Sequence, residues 1–290
     1  MIRMSTVALF GPAGNPDAFY NAGFKASVHM PAWLAGQKLG AYEYQCSRGV
    51  HIGEETARML GEKAAEYDVK LSIHAPYYIS LATEDELIAA NTTNHFLKSL
   101  EAARWMGADR IVFHIGGPGK LERANAMQRV RERFARILEE AERRSLTGVY
   151  LAPETMGKQN QLGTLPEVLS LCSLSSRVIP ALDFGHLHAV SGGRYTTFEE
   201  YETVFNQVEE QLGTAVAANV HIHFSKIEFT KAGEKRHWTF KDPFGPPHEA
   251  LLQLIAAKHY TPRVICESAG TQAEDAAVMQ TYYLSRLEER

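Results

Sequence analysis

The chain lacks most of the features that would assign it to a familiar class outright. Its three cysteines, Cys46, Cys172 and Cys266, are far apart and form no CxxC pair. An odd, scattered set excludes a disulfide framework and a thiolate zinc site, and it fits a reducing compartment. No stretch approaches the roughly eighteen unbroken apolar residues of a membrane helix. The opening MIRMSTVALFGPAGN has only the short apolar run VALF, too brief for a signal-peptide core, so a cytoplasmic protein is expected. There is no low-complexity tract, linker or internal repeat. The first predicted strand leads into FGPAGN rather than GxGxxG, which counts against a dinucleotide-binding open sheet. Charge of one sign is scarce too. The net charge of -4 argues mildly against a nucleic-acid partner, yet three divalent cations would turn it to +2 within one cleft.

What is present is a globular composition, 45% hydrophobic and 22% charged, over 290 residues. Short β-rich runs alternate with longer amphipathic ones. The predicted strands are STVALF, AYEYQC, KLSIHA, RIVFHIG, GVYLAPE, VIPALDF, NVHIHF and RVICES, each followed by a helical pattern. The strands are continuously apolar, as in a parallel sheet covered on both faces. The pattern predicts an α/β fold, a single (β/α)8 TIM barrel occupying residues 1–290 as one domain. A doubly wound sheet is the alternative. Two long loops are expected, after strand one and after strand seven, both at the face where barrel enzymes build their sites.

The predicted strand ends carry the chemistry. Strands three to eight end at His74, His114, Glu154, Asp183, His223 and Glu267. A lone histidine at a strand end is usually a hydrogen-bonded structural residue. Six ligand-type residues converging on one barrel mouth are not explained that way. Imidazole and carboxylate suit zinc or manganese, and they outnumber the ligands of one tetrahedral ion. A bridged ion pair, with a third ion as an extension, is the natural reading, and Glu154 and Asp183 are the bridging candidates. His221 shares a face with His223 and is expected one layer deeper as a satisfied core residue.

The stretches HAPYYISLA, FHIGG, PETMGKQNQLG, DFGH, VHIHFS, EKRHW and ICESAG resemble the endonuclease IV family of apurinic/apyrimidinic endonucleases, in the family's order from residue 74 to residue 270. The family fold is a (β/α)8 barrel with three zinc ions. The resemblance implies that His74 and His114 hold one zinc, and that Glu154 bridges it to a second held also by Asp183, His223 and Glu267. His186 and His237 would then hold the third. It implies hydrolysis of duplex DNA 5' to abasic sites by a metal-activated hydroxide attacking in line, with Glu154 orienting or deprotonating the water. It also places Tyr77 and Arg48 where the family contacts DNA, and it makes the protein a zinc-dependent hydrolase, expected as a monomer, with manganese as a substitute metal. The family's third-zinc motif is Asp-x-His, but Lys235 stands two residues before His237, and a protonated lysine cannot ligate. Glu234, one residue further back, is the candidate replacement.

Sugar isomerases and epimerases of the xylose-isomerase-like superfamily share the barrel and resemble the chain in Glu154, Asp183, His223 and Glu267. There the quartet holds one ion, and the two glutamates move protons on a ketose. That alternative leaves His74, His114 and His237 without a role. A non-catalytic barrel with a structural metal is a third reading, against which the intact ligand set argues.

Overall fold

A computed structural model describes residues 7–288. Ser5 and Thr6 of the first predicted strand and the last two residues of the final predicted helix lie outside the described residues. The strands are β1 Leu9–Pro12, β2 Ala41–Gln45, β3 Lys70–His74, β4 Arg110–Phe113, β5 Tyr150–Pro153, β6 Ala181–Asp183, β7 His221–Phe224, β8 Lys226–Thr230, β9 Gly233–Trp238 and β10 Arg263–Cys266. The helices are α1 Asp17–Asn21, α2 Met30–Gly36, α3 Glu54–Glu66, α4 Glu86–Met106, α5 Arg123–Arg143, α6 Leu165–Cys172, α7 Phe184–Val190, α8 Phe198–Leu212, α9 Thr214–Ala217, α10 Glu249–Ala257 and α11 Gln272–Glu288. A short 3-10 turn, Ser27–His29, precedes α2.

Eight of these strands form a parallel TIM barrel in two arcs, β1-β10-β7-β6 and β2-β3-β4-β5. The arcs are joined by parallel bridges, Ala13 to Glu43 on one side and Glu154 to Ala181 on the other. The first seam is tight because of Gly11. A Cβ there would lie 1.7 Å from the Ala41 carbonyl oxygen, so any side chain would push β1 from β2.

Helices form where the sequence supplies both a face and a start. Asp85 caps α4 by accepting from the Leu87 and Ile88 amides, and Gly107 ends it in the left-handed region. Thr197 and Glu200 form a capping box on α8. Between helices and barrel, Phe96, Phe113 and Phe134 pack with ring centroids 4.8–5.8 Å apart, locking α4 and α5 onto β4. No helix among the described residues is long and apolar enough to cross a membrane.

Three features depart from the expectations. The first long loop contains α1 and the 3-10 turn. The second folds into the antiparallel hairpin β8–β9. The sixth strand ends at Asp183 as expected, but FGHLHAV then forms a short helix, α7, that the pattern did not announce, because the Asp183 carboxylate accepts the His186 amide and starts a helix there.

Candidate metal centre

The barrel delivers the six strand-end residues to one mouth. His74 closes β3 and Asp183 closes β6, His223 lies within β7, and His114, Glu154 and Glu267 directly follow β4, β5 and β10. Glu154 is the hub. Its Oε2 lies 3.0 Å from His114 Nε2 and 3.3 Å from His74 Nε2. Its Oε1 lies 3.1 Å from His223 Nδ1 and 3.5 Å from His186 Nδ1. Glu267 Oε1 approaches His223 Nδ1 at 3.5 Å. Asp183 divides its oxygens, since Oδ1 caps α7 and Oδ2 is buried with no hydrogen bond. Four groups of converging donors result among the described residues: His74–His114–Glu154, Glu154–Asp183–His223–Glu267 and His186–Glu234–His237, with Glu43–His221–His223 fully buried as the fourth. Glu154 belongs to two of them, whereas Asp183 belongs to one, so of the two bridging candidates the geometry favours Glu154.

The third group exists because of an irregularity that sequence spacing hides. In β9, Arg236 pairs with Glu228 and Glu234 with Phe229, so Lys235 is the extra residue of a β-bulge. The bulge brings residues three apart, Glu234 and His237, to the same side, and their side chains approach to 3.5 Å. Lys235 turns outward and bonds the Glu228 carboxylate at 2.5 Å. Glu234 also reaches His186 Nε2 at 3.4 Å. Two glycines allow this approach. A Cβ on Gly157 would lie 2.6 Å from the His186 ring and 2.8 Å from Glu234 Cβ, and one on Gly233, whose φ is +103°, would lie 2.2 Å from the Gly157 carbonyl oxygen.

The rear nitrogens of these imidazoles are anchored. His74 Nδ1 donates to the Ala75 carbonyl and His186 Nδ1 to the Thr155 carbonyl, each at 2.9 Å, while His237 Nδ1 pairs with Ser225 Oγ at 2.8 Å. Their Nε2 atoms are thereby left for the cleft. Burial opposes charge throughout, but proximity overrides it at several groups. Burial works against protonation of His74, yet Glu154 lifts it to about 8. Burial likewise opposes a charged His237, which Glu234 and Glu267 raise to about 9. Burial would raise Glu234, but the His237 hydrogen bond and the His186 charge bring it to about 2. Glu154 is held well below the carboxylate range by His223 and His114 against its own burial, whereas burial leaves Glu267 raised.

The groups line a cleft of about 570 Å³ that also takes in Gln45, Lys158, Gln161 and Tyr77. Tyr77 stands at the rim, 52% exposed, with its ring 5.4 Å from that of His74 and 5.2 Å from that of His114. Arg48 is not among the lining residues. His188 stays out of the cleft, with its ring edge-on to Phe229 and Nδ1 bonded to the Tyr195 carbonyl. A second cavity of about 590 Å³ lies at the opposite end, around the strand starts Lys70, Arg110, Tyr150 and Arg263. It holds none of the converging imidazoles, and that end of a barrel serves stability.

Sequence reasoning missed Glu43, a fully buried carboxylate within β2. The signal was available, a glutamate flanked by aromatic residues in the strand AYEYQC.

The profile of the xylose isomerase-like TIM barrel family matches residues 33–282. The chain belongs to this family. Among curated relatives of this xylose isomerase-like barrel, an uncharacterized protein of Methanocaldococcus jannaschii is 31% identical over 94% of the chain and 96% of its own length. A probable endonuclease 4 of Acholeplasma laidlawii is 27% identical over 70% of the chain and 67% of its own length. These matches support the resemblance drawn from the motifs. Among solved structures, endonuclease IV from Thermus thermophilus superposes with a TM-score of 0.68 at 19% identity, covering 91% of this chain and 95% of that one. An L-ribulose 3-epimerase does so equally, with a TM-score of 0.68 at 14% identity, covering 98% and 95%. At such identities the superpositions establish the barrel and leave the choice of chemistry to the site.

Proposed function

We propose that the chain is a metal-dependent phosphodiesterase that hydrolyses the backbone of duplex DNA 5' to abasic sites, acting as a monomer with two or three zinc ions, or manganese in their place. The observation that carries this reading is the presence of the His74–His114–Glu154 and His186–Glu234–His237 groups beside the quartet. A sugar isomerase with one ion uses the quartet, and the Asp183-x-x-His186 pair suits it as well, but it leaves His74, His114 and His237 without a purpose.

The donors fit such ions. Ligands about 2.0–2.1 Å from a tetrahedral metal lie roughly 3.3 Å from one another; six nitrogen–oxygen pairs in the groups lie 3.0–3.5 Å apart, and all donor atoms of each group lie within 4.8 Å of one another. The buried Asp183 Oδ2 accepts no hydrogen bond, since His186 Nδ1, 3.3 Å away, is directed at the Thr155 carbonyl, and this oxygen is left open to a metal ion. His74 and His114 would hold one ion, Asp183, His223 and Glu267 a second, and His186, Glu234 and His237 a third, with Glu154 shared by the first two. Bound ions supply Lewis acidity and offset the negative charge that develops on the phosphoryl oxygens.

The protein's own groups do the remainder. The anchored rear nitrogens of His74, His186 and His237 keep the opposite nitrogen aimed into the cleft. Glu154, as the catalytic residue, orients the attacking water and takes its proton at a carboxylate oxygen. Tyr77 offers an exposed ring at the rim against which a base or sugar can stack, and Arg48 supplies a cation for a phosphate further out.

The deciding experiment counts metal per chain and assays nicking of a synthetic abasic duplex. Two or three ions, with nicking abolished by a strong chelator, are expected. One ion per chain and no nicking at any metal loading would overturn the proposal, and solvent proton exchange into a ketose would then favour the isomerase.

A further inference from the structure

Beneath the quartet lies a second polar layer. Glu43, His221 and His223 are all fully buried. Glu43 Oε1 lies 3.0 Å from His223 Nε2 and accepts from Gln45 Nε2 at 3.2 Å. Glu43 Oε2 lies 3.1 Å from His221 Nε2 and accepts from Ser72 Oγ at 3.0 Å. The two imidazole contacts are close but bent. Neither ring N–H points straight at its oxygen, so the attraction is that of charge more than of an aligned hydrogen bond.

A carboxylate in the middle of a barrel strand is costly to bury, and a neutral glutamine would avoid the charge while accepting at only one of the two positions where Glu43 accepts. His223 explains the choice. Its Nδ1 faces Glu154 and Glu267, so Nδ1 must present a lone pair for the quartet to hold a cation. A negative charge against Nε2 keeps the ring proton there and leaves Nδ1 bare. Glu43 thus does for His223 what backbone carbonyls do for His74 and His186, with a full charge in place of a dipole. Ser72 and Gln45 fix the carboxylate in turn, and His221 screens its other oxygen.

We infer that Glu43 is a positioning residue for His223, part of a carboxylate–imidazole pair that makes the quartet a tighter cation site than its four ligands alone would be. This rests on the quartet holding a metal, as proposed above.

The test is titration of Zn²⁺ and Co²⁺ into the metal-free full chain and its E43Q and S72A variants, with melting of each metal-free form as the control for folding. E43Q is expected to weaken the quartet ion about 10- to 100-fold, the range typical of carboxylates behind metal-ligating histidines. It should also alter the visible absorption of the Co²⁺-loaded protein while sparing the ion of the His186–Glu234–His237 group. S72A, which removes one donor to Glu43, should shift both readouts the same way by less, and it carries the test if E43Q does not fold. Unchanged affinities and an unchanged Co²⁺ spectrum in both variants, with wild type still binding its ions, would overturn this inference and leave the metal reading standing. So would an extra ion that E43Q releases while the quartet is unaffected, since Glu43 would then be a ligand itself. A wild-type chain that binds no ion would remove both readings.

Discussion

At the scale of single residues, the site is a set of carboxylates and imidazoles that lie 3.0–3.5 Å apart and shift one another's protonation. His114 discriminates between one-ion and multi-ion chemistry, because it contacts Glu154 Oε2 at 3.0 Å and belongs to no other group. Replacing it with alanine should remove one ion per chain, counted by elemental analysis, and reduce nicking by about 10²-fold or more, the usual cost of losing one electrostatic element of a phosphoryl-transfer site. Retention of every ion would argue for the one-ion reading. Protonation provides a second check. His74 titrates near 8 and His237 near 9, both above an ordinary histidine at 6.5, so each stabilises the metal-free fold most fully below about pH 6.5. That stabilisation is lost as pH rises through 8 and 9, and for His74 it amounts to about 2 kcal/mol. An imidazolium cannot ligate, so metal affinity should move the opposite way. Between pH 6 and 8 it should rise by up to about tenfold per pH unit for each proton displaced. Calorimetric melting of the metal-free form and metal titration across that range would show the two opposed trends. A flat affinity would mean that these imidazoles are not ligands. Six of the ligand candidates were legible in the sequence because each stands at or beside the end of a strand, and His186, Glu234 and His237 only through the family resemblance. Glu43 was not, because a mid-strand carboxylate acquires meaning only from what β3 and β7 place against it, Ser72 and His223.

At the scale of elements, two short pieces decide the site, and neither follows from hydrophobic period. The first is α7. Asp183 both starts this helix and aims Oδ2 at the quartet, which separates two roles chemically. D183N keeps a good helix cap and loses the negative charge, whereas D183A loses both. Both variants should lose the quartet ion, and only D183A should also lose about 1 kcal/mol of metal-free stability in denaturant unfolding. If the two melt alike, the cap contributes nothing. The second piece is the β8–β9 hairpin. Its bulge at Lys235 puts Glu234 where strand alternation would have put residue 235, and this is why a lysine at that position does not destroy the third group. Sequence spacing could offer Glu234 as a substitute but could not show the bulge, which is set by pairing with Glu228 and Phe229. Gly233 should be intolerant. In G233A a methyl group would meet the Gly157 carbonyl at a φ that L residues avoid, costing about 1–3 kcal/mol and prying Glu234 from His186. The expected result is loss of one ion with the quartet still loaded. A full metal complement in G233A would mean that the hairpin plays no part in holding it.

At the scale of the whole molecule, the barrel was legible because eight apolar strands alternating with amphipathic helices leave few other ways to bury the core. The closure of its two arcs was not, since it depends on isolated bridges at Ala13–Glu43, Leu151–Val178 and Glu154–Ala181 rather than on long paired ladders. The candidate ligands lie across this junction. His74, His114 and Glu154 belong to the β2–β5 arc, and Asp183, His223 and Glu267 to the arc of β6, β7, β10 and β1. Ions held on either side of Glu154 would therefore tie one arc to the other where the strands meet through isolated bridges. Metal removal should lower the stability of the entire barrel in a single step rather than loosen the cleft alone. Ions present at about a thousand times their dissociation constant contribute roughly 4 kcal/mol per site, which for a domain of this size is a drop in melting temperature of about 7 °C for each ion lost. Differential scanning calorimetry of the native and chelator-stripped protein should show one cooperative transition in both, displaced by that amount. A second, low-temperature transition appearing only in the stripped protein would show instead that the mouth melts independently, and that the ions serve the cleft without joining the arcs.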